Sequence, residues 1–452
     1  MNSERDKELV SPARSAAFDI LRRVESEHAF ASVLIARLDE AGLSREDRAL
    51  AQEIVLGVLR WRRSLDYLVE RYSKRSIDRL DLPVLISLRM GIYQLRHLSR
   101  VPQSAAVNES VNLVKRARTR SASGLVNAVL RNAARLSEEL PGEEVTDALE
   151  RASIELSHPR WMLERWGAWL GEDETRALAL ANNTAAVIAF RVNTLRSTVA
   201  RVLDHLAVAG VTVRESELSP GAFVVTGGPA SAIAQAAERG LIYVQDEASQ
   251  LISVLLEPQS GHRVLDLCAA PGSKSSHIAT LTDDQAWIVA CDVHPHRLAT
   301  LRATCERLGI TSIDPVAVDA TKTLPLDAAL RFDRVLVDSP CSGTGTLRGN
   351  PEIKWRLSPA DITNLAELQL NILQNAASAV ATGGRVLYST CSLEREENED
   401  VVLNFLAECE SFRVIHPNAR ADLITVDGFV RTFPHRHASD GFFSAVLEKI
   451  AR

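Results

Sequence analysis

No two of the chain's six cysteines form a Cys-x-x-Cys pair. Cys268, Cys291, Cys305, Cys341, Cys391 and Cys409 stand singly, so no structural zinc or other metal site is expected. No apolar run approaches the ~18–20 residues that span a bilayer. The opening stretch MNSERDKELV is polar and charged, without the apolar centre of a signal peptide. No G-x-G-x-x-G turn is present, which disfavours a bound dinucleotide. These absences point to a cytoplasmic protein with free thiols and no membrane partner.

The 452 residues suggest about three domains of ~150 residues each. Apolar residues make up 46% and charged residues 24%, the balance of an ordinary globular protein. The net charge of -6 is unevenly spread. Residues 11–140 carry 22 Lys+Arg against 15 Asp+Glu, a net +7, while residues 141–452 carry 28 against 40. A basic front on an acidic body suggests an anionic partner for the front. A solvated, Arg-rich helical surface would give the same count.

The front reads as all helix. Pro12 is placed to start a helix whose Ala17, Phe18, Leu21 and Val24 follow at helical spacing. Pro83 fits a first turn, with Val84, Leu85, Leu88, Ile92 and Leu95 behind it. A helix from Pro102 runs into Lys115, Arg116, Arg118 and Arg120, and SASGLVNAVLRNAAR forms a last one. Residues 141–245 read as an α+β connecting domain, with strands in AVIAFRVNTL, VTVRES and AFVVT and a helix in STVARVLDHLAVAG. Trp161, Trp166 and Trp169 suit one helical segment and read as core.

From residue 246 strand and helix alternate, which argues for a mostly parallel sheet covered on both faces. RVLDLCAAPGSKSSHI is a strand, a tight turn and a helix start. Ala269 and Ala270 let a ligand approach the backbone, Pro271 fixes one angle, and Gly272 permits conformations closed to other residues. Lys274 opens the helix, whose free N–H groups suit an anion. The turn is a cradle for a cofactor carrying a carboxylate and a ribose. Four more strands end at Asp292, Asp319, Asp338 and Cys391, and the fourth strand of the series runs on into Pro340 and Cys341. Ligands of open α/β sheets sit beyond the carboxyl ends of the strands, so three aspartates and two cysteines share one rim.

The sequences DLCAAPGSKS, ACD, VDA, DSPCSGTG and YSTCSLEREEN follow the order of the RNA cytosine-5 methyltransferases. QSAAVNESVNLVKRA followed by GLVNAVLRNAA resembles the NusB fold, a helical RNA-binding domain. The whole chain resembles the bacterial ribosomal RNA small-subunit methyltransferase B family, also called Sun or Fmu. The resemblance implies a NusB-like helical domain over 1–140, an α+β linker domain over 141–245 and a Rossmann-like α/β methyltransferase domain over 246–452. It implies S-adenosylmethionine as cofactor and small-subunit ribosomal RNA as partner, before the finished ribosome, with a monomer expected. Carried over by residue, Cys268, Ala269, Ala270, Pro271, Gly272, Ser273 and Lys274 wrap the methionine end of the cofactor. Asp292 takes the ribose hydroxyls and Asp319 faces the adenine amino group. Asp338 lies between cofactor and target cytosine and helps protonate the ring nitrogen. Cys391 is the nucleophile and Cys341 assists release. Ser273 and Ser339 depart from the family pattern, which usually has glycine and a small apolar residue there.

Such chemistry needs a thiolate, because carbon 5 of cytosine is a poor nucleophile until a sulfur adds at carbon 6. Ser392–Cys409 reads as helical, placing Cys391 just before a helix start, with Glu394, Glu396, Glu397 and Glu399 mostly facing solvent. Cys268, Cys291, Cys305 and Cys409 read as inert buried thiols. A DNA cytosine-5 methyltransferase, with Pro340–Cys341 as its centre, is the nearest alternative. Methylation of another RNA and a non-catalytic RNA-binding factor are further ones.

Overall fold

The structure is a computed structural model, and it describes residues 10–39, 42–136, 140–327 and 329–451. The chain divides into two compact units. One comprises Met1–Ala185 with Leu347–Arg356, the other Ala186–Thr346 with Leu357–Arg452. Among the described residues no helix is long and apolar enough to cross a membrane.

The first unit is helical. Helices span Pro12–Ser26, Ala31–Ala36, Arg45–Arg60, Arg62–Ser73, Leu82–His97, Gln103–Arg116 and Ser123–Arg135. Pro12 and Pro83 stand in first turns, where a missing N–H costs nothing. The Ser44 hydroxyl caps the third of these helices by accepting from Asp47 N. Residues 84–94 are buried without a break, which makes Leu82–His97 the central helix. Its Arg89 is therefore buried too, and Asp66 at 2.6 Å and Glu25 at 3.1 Å neutralise it.

Three more helices, Ala148–Leu156, Arg160–Leu170 and Glu172–Asn182, belong to this unit. The division at Ala185 thus falls inside the stretch read from the sequence as one connecting domain. The segment Leu347–Arg356 accounts for the grouping. Lys354 Nζ donates to Arg60 O at 2.8 Å, Ser157 O at 2.8 Å and Asn183 Oδ1 at 3.1 Å. Trp355 Nε1 donates to Leu59 O, and Arg348 to Ala185 O. Leu59, Arg60 and Ser157 lie at helix C-termini, whose last carbonyls lack intrahelical partners. Of the three tryptophans in this region, Trp166 is core, while Trp169 is exposed.

The second unit opens with an antiparallel sheet of β1 (Ala189–Val192), β2 (Thr212–Glu215), β3 (Ala222–Gly227) and β4 (Ile242–Val244), in the order β2-β3-β1-β4. Val202 and Leu206 of the helix Val199–Val208, and Ile233 and Ala236 of the helix Ala230–Glu238, pack on Phe190, Val192 and Phe223. The helix Ala230–Glu238 and β4 had no counterpart in the sequence reading.

The larger sheet contains β5 (Arg263–Asp266), β6 (Trp287–Asp292), β7 (Ile313–Ala317), β8 (Phe332–Asp338), β9 (Val380–Thr390), β10 (Phe412–Val414) and β12 (Phe443–Lys449). Its order is β10-β12-β9-β8-β5-β6-β7, with β11 (Val430–Arg431) pairing β12. The pairs from β7 to β9 are parallel, and β12 and β10 are antiparallel. Strand periodicity sorts the core into two layers. Leu265, Val289, Val335, Val337, Val386 and Tyr388 meet helices Pro359–Ala379 and Glu399–Glu408. Val264, Ile288, Ala290, Leu336 and Leu387 meet helices Glu247–Leu255, Ser273–Leu281 and Pro295–Leu308. Each fully buried Val or Leu contributes about 1.5–3 kcal/mol, so both faces of the sheet are held shut. Only its rim remains for chemistry.

Candidate active site

The parallel strands end side by side, and the residues just past them enclose a cleft of about 410 Å³. That is the size of a small-molecule site. Cys268, Ala270, Asp292, Asp319, Asp338, Ser339, Cys341 and Cys391 all line it. Among the other cradle residues, Ala269, Gly272 and Lys274 are buried, and Pro271 is exposed.

The cradle's shape follows from its residues. Ala269 N donates to Cys291 O at 2.8 Å, fastening the turn to β6. Gly272 has φ +100°, and a Cβ there would lie 3.0 Å from Leu301 Cγ. The positive φ strains any L-side chain there, and Leu301 leaves a Cβ little room. Ser273 begins the helix, and its carbonyl accepts from Arg191 of β1 at 3.2 Å.

The aspartates differ in their surroundings. Asp292 is buried, its Oδ1 accepting from His294 N at 2.8 Å and its Oδ2 lying 3.4 Å from Arg297. Asp319 accepts from the Thr321 hydroxyl and backbone, which hold its carboxyl below the usual range. Asp338 accepts from Lys274 Nζ at 2.6 Å and from Ser389 Oγ at 2.9 Å. Burial is the largest single influence and opposes the Lys274 charge, yet Asp338, with smaller help from Cys391 and Asp266, leaves the ammonium harder to deprotonate than usual. Asp266, at the end of β5, is fully buried, and desolvation pushes it up to about 7 although Ser275 donates to it at 2.6 Å.

Cys341 and Cys391 follow neighbouring parallel strands, and their sulfurs are 3.3 Å apart. The hydrogen bond to Cys391, with burial second, holds the Cys341 thiol well above its ordinary range. A protonated Cys341 is therefore placed to donate to the Cys391 sulfur. Gly345 permits this closeness. Its N–H donates to Cys391 O at 2.9 Å, and a Cβ on it would sit 2.0 Å from Gly441 O. Burial pushes Cys291 up to about 12 and Cys305 up to about 11, so both stay protonated at neutral pH.

The segment after Cys391 departs from the sequence reading. It is not a continuous helix from Ser392. A 3-10 turn covers Arg395–Glu397, and the helix starts only at Glu399. Glu394 and Glu397 are buried rather than solvent-facing, and Glu399 pairs with Arg431. The physical reason is a cluster of donors around Glu397, from Ser342, Ser392 and Gln369. The run of acidic residues in LEREEN masked it, because such a run ordinarily marks a solvated turn. Gln369 and Arg297 likewise carry no motif signal.

The family model described as 16S rRNA methyltransferase RsmB/F matches residues 253–448. The NusB family model matches 11–135, and a ferredoxin-like domain model of the RsmF/B-like methyltransferases matches 158–230. The chain is 37% identical to the probable ribosomal RNA small subunit methyltransferase B of Synechocystis, over 97% of this chain and 99% of that one. It is 32% identical to the probable ribosomal RNA small subunit methyltransferase B of Bacillus subtilis, over 96% and 98%. The chain belongs to the ribosomal RNA small subunit methyltransferase B family. The crystal structure of PH0851 superposes with a TM-score of 0.83 at 28% identity, covering 98% of this chain and all of that one. As a member of the methyltransferase B family, this chain uses S-adenosylmethionine as methyl donor. The cleft fits that group. Its carboxylates suit hydroxyl and amino donors, and the cradle residues that line it, Cys268 and Ala270, carry small side chains.

Proposed function

We propose that this enzyme methylates carbon 5 of a cytosine in small-subunit ribosomal RNA through a covalent adduct between Cys391 and carbon 6. The observation that carries the reading is the pair of touching thiols, Cys341 and Cys391, lining the same cleft as Asp292, Asp319 and Asp338. The backbone of Cys268–Lys274 would hold the methionine end of the cofactor, Asp292 the ribose hydroxyls, Asp319 the adenine amino group, and Asp338 the edge facing the substrate. When bound, S-adenosylmethionine supplies a methyl group on a positively charged sulfur.

The chain's own groups supply the rest. The Cys391 thiolate adds to carbon 6, and the displaced ring electrons are balanced by a proton at N3. Asp338, hydrogen bonded to Lys274 and Ser389, is placed to relay that proton. Carbon 5, now enamine-like, takes the methyl group. Once Cys391 is a thioether it carries no charge, and the main cause of the high Cys341 pKa is gone. Cys341, its own proton passed to solvent, can then accept the carbon 5 proton as the carbon 5–carbon 6 double bond reforms, the carbon 6–sulfur bond breaks to return the Cys391 thiolate, and N3 gives its proton back. On this reading Cys391 attacks and Cys341 serves release.

RNA capture falls to the first unit. Arg118 and Arg120 are exposed at the end of the helix Gln103–Arg116, while Arg116 is tied to Asp19 at 2.6 Å. The test of the whole reading is incubation with ribosomal RNA and methyl-labelled cofactor, then mapping of the modified base. Label on any base other than cytosine, or on cytosine away from carbon 5, overturns it.

A further inference from the structure

We infer that Glu397 is a positioning residue that clamps the two cysteine-bearing loops together and so holds the thiols in contact. The inference rests on the covalent reading above. The last backbone bond of the ladder runs from Ser339 N to Ser389 O at 2.9 Å. Both cysteines lie beyond it, where pairing of β8 and β9 no longer fixes the chain. Glu397 takes over there. Its Oε1 accepts from Ser342 N at 2.8 Å, and its Oε2 accepts from the hydroxyls of Ser342 and Ser392. Ser342 follows Cys341 and Ser392 follows Cys391, so one carboxylate grips the neighbour of each thiol. The two hydroxyls are themselves 3.0 Å apart.

Gln369, from the helix Pro359–Ala379, completes the clamp. Its Nε2 donates to Glu397 Oε1 and to Pro340 O, both at 2.9 Å. Tyr388 of β9 donates to the Glu397 carbonyl, and Asn398 Nδ2 donates to Ser392 O at 2.9 Å. Glu397 is fully buried, and among the described residues no cation pairs with it. A buried carboxylate satisfied only by neutral donors is costly, and an apolar residue would fill the same space more cheaply. What it provides is a single hub with acceptors for both loops. It also places negative charge beside Cys341, which raises that thiol further. The other charged or titratable groups facing the thiols are Lys274 from the cradle helix, Asp338 from β8 and Tyr388 from β9.

The test compares Glu397→Gln with Glu397→Asp in the full chain. Glu397→Gln keeps the shape and removes the charge. It should leave cofactor affinity and the KM for RNA unchanged, and lower kcat about 10–100-fold through misplacement of the thiols. It should also move the limb of the pH–rate profile that reports Cys341 to lower pH, because losing a negative neighbour eases that thiol's ionisation. Glu397→Asp, which keeps the charge but shortens the reach, should restore the pH profile and not kcat. If Glu397→Gln fails to fold, the double variant Ser342→Ala/Ser392→Ala removes the gripped hydroxyls, and it should show the same kcat loss with the wild-type profile. Full turnover in these variants, a kcat loss that only tracks the folded fraction, or a Glu397→Gln profile identical to the wild type overturns the role. Methyl transfer that survives Cys391→Ala would instead overturn the covalent reading on which it rests.

Discussion

At the scale of single residues, the 3.3 Å contact between Cys341 and Cys391 makes their two roles separable. Cys391→Ala cannot form the adduct and should lose nearly all turnover while still binding cofactor. Cys341→Ala should attack and transfer methyl once, then stay bonded to its RNA as a band that survives denaturing electrophoresis. The double variant should give no band. A band in Cys391→Ala and none in Cys341→Ala would exchange the roles and leave the reaction class standing. Asp292 makes a second residue-scale claim. Its hydrogen bonds to ribose hydroxyls would be charge-assisted, each worth about 1.5–3 kcal/mol. Asp292→Ala should therefore weaken cofactor binding about tenfold or more. Unchanged affinity in calorimetry would remove Asp292 from the site.

At the scale of elements, the segment Leu347–Arg356 has the clearest energetic consequence. Lys354→Met would leave three buried acceptors, at Arg60, Ser157 and Asn183, without their donor. With each orphaned acceptor costing about 1–3 kcal/mol, the first unit should lose about 3 kcal/mol or more. Hydrogen exchange in the helix Leu82–His97 should accelerate accordingly, and unchanged protection would sink the idea. This segment also shows where the sequence stops being legible. LRGNPEIKWR carries no motif, and nothing local reveals that Lys354 and Arg348 are buried. The same blindness hid Glu397. The strands leading to Asp292, Asp338 and Cys391 were legible because a short apolar run, as a strand buried on both faces requires, and a reactive residue at its end are local signals. The prolines at 12 and 83 announced their helices for the same reason. The Cys341–Cys391 contact was legible as a shared rim and not as a distance, which depends on Gly345 and on the Glu397 hub.

At the scale of the whole molecule, charge separates along the chain, with the front basic and the rest acidic. Each phosphate that a protein neutralises on a single strand adds ~0.7 to the slope of log affinity against log salt. Replacing Lys115, Arg118 and Arg120 with serine should therefore weaken RNA binding and lower that slope by about two. Cofactor affinity should not move, and an unchanged slope would reduce the run to a solvated surface. The order of the chain adds a constraint on how the protein is made. Domains generally fold as they leave the ribosome, front first. Here the front unit lacks Leu347–Arg356 until the whole intervening stretch Ala186–Thr346 has been synthesised. Until then the carbonyls of Leu59, Arg60 and Ser157 wait for donors that do not yet exist. The nascent helical unit is thus held incomplete during translation, and it closes only after the strand leading to Cys341 has emerged.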